Sequence, residues 1–118
     1  MVSEVVRERF LRDPVQIRLG GLAADLARIA SFGEHPANRQ AVASLLEEGK
    51  YFAEWTAADA PVETQAALAD IQLALAVWER HWHRGQPVPM MRAEAARNSE
   101  ELLALAGLAS GAAYRSER

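Results

Sequence analysis

The chain has 118 residues, half of them hydrophobic and a quarter charged, with a formal net charge of −3 and no cysteine. That length supports one hydrophobic core, so residues 1–118 are read as a single domain. Disulfides, thiolate metal sites and cysteine nucleophiles are excluded together, and charges of both signs in every segment leave no basic stripe for phosphate backbones.

No apolar run approaches the roughly 20 residues of a membrane span, and the opening MVSEVVRERF lacks the apolar core of a secretory signal. The expected address is the cytoplasm, with neither membrane nor nucleic acid as a partner. Alanine is abundant, Lys50 is the sole lysine, and almost no stretch alternates as a strand would. Alanine is the best helix former, so the expected class is all-α.

The first segment, Ser3 to Leu11, is weakly amphipathic, with Val2, Val6 and Phe10 on one side. It reads as a short extra helix closing over the rest. Asp13-Pro14-Val15-Gln16 then reads as a helix start, with Asp13 as cap, Pro14 in the first turn and Gln16 in the return position of a capping box. Val15, Leu19, Leu22, Leu26 and Ile29 form the seam of that helix, which stops near Gly33. Gly20-Gly21 inside it costs about 1 kcal/mol per glycine relative to alanine and predicts close helix approach or a kink. It is no phosphate loop, since nothing before it reads as a strand.

A second long helix runs from Pro36 or Asn38 to about Trp55, turning Val42, Leu45, Leu46, Phe52 and Ala53 inward, with Gly49 as a point of close approach. The short link Thr56 to Ala60 predicts a hairpin with the next helix, Pro61 to His83. That helix has the cleanest seam of the chain: Leu68, Ile71, Leu75, Trp78 and Trp82. Arg84 to Pro89, with one glycine and two prolines, is a turn. The last helix opens near Pro89 with Met91, Ala95, Asn98, Leu102, Leu105 and Ala109 as its seam, and Asn98-Ser99-Glu100-Glu101 permits a break. From Gly111 the chain is expected to fray, except where Tyr114 packs back.

Four long segments with short links predict an up-down-up-down four-helix bundle carrying a short extra N-terminal helix. This topology gathers His35, Trp78, His81, Trp82, His83 and Met91 at one end, with Met90 and Phe32 nearby. They are the candidate ligand pocket. Glu79 and His83, four apart, are a workable ligand pair that His35 can complete, but His81 and His83 point in different directions and no Glu-x-x-His pair of a di-iron bundle is present. A histidine in the last turn also interacts favourably with the helix dipole, and tryptophans plug bundle ends, so no metal and no cofactor is expected.

Other chemistries are weaker still. Ser31, Ser44, Ser99 and Ser110 lack a nucleophile turn, and the pairs Glu47-Glu48 and Glu100-Glu101 read as solvated faces. No catalytic residue is nominated, and the chain is not expected to be an enzyme. Apolar residues off the seams stand out instead: Leu73 and Val77 on the central helix, Leu103 and Leu108 on the last. They are the candidate interface for a homo-oligomer or another protein. The expected function is therefore a non-enzymatic interaction or self-association module; the alternative is a small-molecule or metal-binding bundle using the Trp/His/Met end.

The runs LRDPVQIRLGGLAADLARI and NRQAVASLLEEGKYFAEWTA resemble those of small, all-helical, uncharacterised proteins of photosynthetic bacteria, cyanobacteria-like. The resemblance covers about the first two-thirds of the chain and implies a cytoplasmic bacterial protein. It brings no activity, ligand or site residue with it.

Overall fold

Ser3 starts the first helix by accepting a hydrogen bond from the Val6 amide through its hydroxyl, 3.2 Å long. In the computed structural model, which describes residues 3–107, this helix is α1, Glu4–Leu11. The long helices follow as α2, Val15–Phe32; α3, Arg39–Ala57; α4, Val62–His83; and α5, Met91–Leu105. A single 3-10 turn, Pro36–Asn38, leads into α3. The expected all-α bundle with a short N-terminal helix is the fold found. Residues beyond Gly107, including Leu108, Ala109, Gly111 and Tyr114, and Val2 at the start, lie outside the described residues.

The core is drawn from the predicted seams. Leu19, Leu22, Leu26 and Ile29 of α2 meet Val42, Leu46 and Ala53 of α3, Leu68, Ile71, Leu75 and Trp78 of α4, and Met91, Ala95 and Leu102 of α5. Gly49 lies where three helices converge: a Cβ there would stand 3.3 Å from Leu75 Cδ1 and 3.6 Å from Leu22 Cδ1. The close approach expected at Gly49 is real. At Gly21 a Cβ would be 3.9 Å from Phe10 Cε1, an ordinary contact, and α2 runs unbroken through both glycines.

Two local expectations are corrected. Neither Asp13 nor Gln16 caps α2: the cap residue is Pro14, its carbonyl accepts from the Ile17 and Arg18 amides, and the Gln16 side chain donates to the Ala106 carbonyl at 2.6 Å. The α5 seam passes through Ser99 and Ala106, both buried, while Asn98 is half-buried and Leu105 is more exposed than core. The difference is one of rotation and not of period: at about 100° per residue, Ser99 and Ala106 lie within about 40° of Ala95 around the helix axis, while Asn98 and Leu105 lie about 60–80° away on the other side. No break occurs at Asn98.

The four long helices do not pack equally. α4 lies on α3, α5 lies on α2, and α2 joins α3, but α4 and α5 touch only sparsely. α1 is held by Phe10, whose ring stacks on Phe52 at 4.0 Å and lies 5.8 Å from Trp55. The result is a bundle with three closed sides and one open seam.

Candidate functional site

At one end of the bundle the C-termini of α2 and α4 and the N-termini of α3 and α5 come together, so all six predicted pocket residues belong to that end. They do not form one centre. Trp78 is buried in the core, and Met91 is buried against Gly33 at the end of α2. Trp82 is half-buried between α4 and α3: its Nε1–H donates to the Arg39 carbonyl at 3.0 Å, and the Arg39 guanidinium lies over the indole at 5.0 Å while donating to the Trp82 carbonyl. The tryptophan and arginine therefore tie the last turn of α4 to the first turn of α3, the guanidinium adding a donor to a carbonyl that already accepts from the Gly85 amide at 3.0 Å.

The histidines diverge. His81 Nδ1 is 2.6 Å from Gln86 Oε1 and closes the turn after α4. His83 is exposed, with Nε2 3.9 Å from Glu79 Oε2. Glu79 is already engaged, since its Oε1 accepts from Lys50 Nζ at 2.6 Å, and that hydrogen bond raises the lysine pKa. His35 is exposed at the start of the 3-10 turn. Among the described residues no group of three or more His, Asp or Glu is close enough to hold a metal ion. The hollow beside Trp82 is an open groove of about 410 Å³ lined by Ala37, Arg39, Gln40, Ala43, Trp82 and His83.

The candidate interface divides as well. Leu73 is 66% exposed and Val77 45%, both on the side of α4 that faces away from α3 and the core. Val62, at the start of the same helix, is 78% exposed. Leu103 is half-buried and packs on the core, so it does not join them. Leu108 lies outside the described residues.

Three polar side chains make contacts that helical spacing does not carry. Arg18, buried in α2, donates through Nε to the Asp13 carbonyl at 2.9 Å and through Nη1 to Asp59 Oδ2 at 3.0 Å and the Trp55 carbonyl at 3.4 Å. It places positive charge at the C-terminal end of α3, where the helix dipole favours it. Ser99 donates to the Ala23 carbonyl at 2.8 Å, a buried bond joining α5 to α2. Asp25 is only 2% exposed; its Oδ1 accepts from Arg28 Nη1 at 3.2 Å, and its Oδ2 has no donor among the described residues. Burial, reinforced by the Glu48 carboxyl beside it and opposed by Arg28, pushes the Asp25 pKa up to about 8. A charged residue at a position that helical spacing assigns to the core was the available signal for Arg18 and Asp25.

The arrangement is a small helical bundle whose helix α4 carries apolar side chains on two opposite faces. Compared with protein families, curated proteins and solved structures, the chain matches none. Among the described residues no helix is long and apolar enough to cross a membrane.

Proposed function

We propose that this protein is a non-enzymatic interaction module that works through the outer face of α4, by self-association or by binding another protein. The observation carrying this reading is the exposure of Leu73 and Val77 on a helix whose opposite face already supplies Leu68, Ile71, Leu75 and Trp78 to the core. Covering a large aliphatic side chain is worth about 1.5–3 kcal/mol, so two of them on one helix face favour a partner. The dispersal of the histidines and the engagement of Glu79 by Lys50 weigh against the competing reading, a ligand or metal pocket at the Trp/His/Met end. The proposal includes a cytoplasmic address and neither cofactor nor nucleic acid.

Native mass spectrometry of the untagged protein, as purified, tests it. The wild type is expected as an assembly without small-molecule mass, and Leu73→Glu with Val77→Glu is expected to remain helical by circular dichroism while losing the assembly. An assembly unchanged by that double substitution overturns the α4 reading. Added mass released by chelation would overturn it in favour of the end bearing His35, His81 and His83.

A further inference from the structure

Along the outer face of α4, Val62, Ala66, Ala69, Leu73 and Val77 recur at steps of four and three, and all five are exposed. They lie opposite the core seam, the spacing of a second helix-packing stripe. The charges beside this stripe are sorted by sign. Glu63 and Asp70 lie in its N-terminal half, Arg80 and Arg84 at its C-terminal end, and none of the four forms an ion pair among the described residues.

This pattern is complementary to itself in one direction only. If two α4 helices lie antiparallel with Leu73 of one against Val77 of a second copy, Asp70 necessarily stands opposite Arg80, because both pairs share their midpoint at Leu75. The same register sets the two Asp70 carboxylates ten residues apart along the axis, about 15 Å at 1.5 Å per residue. It also lays Ala66 opposite Arg84, where a small side chain leaves room for the arginine stem. A parallel pair in register would face Asp70 with Asp70 and Arg80 with Arg80, and like charges directly opposed repel.

We infer that the occupant of the α4 face is a second copy of this chain, bound antiparallel about a twofold axis that crosses the outer face at the level of residue 75, with Asp70 of each copy against Arg80 of the other. The inference rests on α4 being the working face, and it adds the partner and its direction. A twofold contact is self-complementary: every pairing appears twice, so apolar and charged pairs must agree on one midpoint, as they do here. One helix pair buries less than the roughly 1,200 Å² of a standard interface, so the dimer is weak and its population depends on concentration in the range of about 1–100 μM.

The test is sedimentation velocity of the full chain at low ionic strength across that range, with circular dichroism of each variant. Asp70→Arg and Arg80→Asp each install two like-charge contacts per dimer and are each expected to weaken it about tenfold. The double variant D70R/R80D is expected to restore wild-type affinity to within about twofold. Should Arg80→Asp disturb the end of α4, a cycle of Asp70→Ala and Arg80→Ala measures the same coupling. A wild type that stays monomeric throughout overturns the inference, including the case in which another protein or the chain's own terminal residues cover the face. A dimer abolished by Leu73→Glu but showing no coupling between positions 70 and 80 overturns the antiparallel register and leaves the α4 reading standing. A dimer indifferent to Leu73→Glu overturns both.

Discussion

Asp25 occupies a position in α2 where its neighbours Leu22, Leu26 and Ile29 are fully buried, and it is held there by one guanidinium contact from Arg28. Its carboxyl pKa is pushed up to about 8 in the folded chain, against 3.8 for an ordinary aspartate, first because burial penalises the charged form, then because the protonated carboxyl can hydrogen-bond to Glu48, whose negative charge adds to the effect. A folded-state pKa above the unfolded one means that the native chain holds the proton more tightly. The stability this contributes is complete below about pH 4, declines as pH rises through the interval up to about 8, and is flat beyond it. Asp25→Asn removes the titration, and its amide can donate to Glu48 where the carboxylate would repel it. Urea unfolding at pH 5 and pH 8 should show the wild type losing stability between the two, on the order of a few kcal/mol, and the Asn variant losing much less. Equal slopes in the two proteins would show that Asp25 ionises normally and that its oxygen is reached by water.

At the scale of the helix, the glycines separate two effects that look identical in sequence. Gly49 is required by approach, since a Cβ there meets Leu75 at 3.3 Å, whereas Gly21 has ordinary contact distance to Phe10 and ordinary helical neighbours. Gly21→Ala should therefore gain helix propensity without a steric cost, raising stability by about 0.5–1 kcal/mol in thermal or urea unfolding. A loss instead would mean that the packing of α1 through Phe10 tightens against α2. The same contrast explains how much was legible beforehand. Seams of α2, α3 and α4 could be read because apolar residues at helical spacing carry their own direction, and short Pro/Gly links fixed which helices run antiparallel. The shared end of His35, Trp82, His83 and Met91 followed from topology alone. What the spacing did not carry was the direction of polar side chains: Arg18 reaching the end of α3, Ser99 turning to the Ala23 carbonyl, and the histidines dispersing to Gln86, Glu79 and solvent. Such contacts depend on which carbonyls and carboxylates another helix presents, and those are set by rotation of the neighbour. A seam drawn through Asn98 and Leu105 differs for a related reason, since the rotation of α5 about its own axis is set by α2, which turns Ser99 and Ala106 inward and leaves Leu105 exposed.

For the molecule as a whole, the exposed outer face of α4 makes assembly and stability one question. Each of the two pairs, α3 with α4 and α2 with α5, closes on the other through α2 and α3, so α4 is supported along one side and bare on the side that carries Leu73 and Val77. A second copy covering that side binds the native chain and not the unfolded one, and mass action then adds stability that grows with concentration. A chain of this size gains about 3–6 °C in melting temperature per kcal/mol, so each tenfold rise in protein concentration above the dissociation constant should lift the midpoint by a few degrees. Leu73→Glu should keep a well-formed cooperative melt whose midpoint no longer moves with concentration, because its effect falls on the association and not on the core. Scanning calorimetry from about 10 to 300 μM on the two proteins makes the comparison. A wild-type midpoint independent of concentration would mean that α4 stands bare in the isolated chain, and the apolar stripe would then need a different protein to cover it.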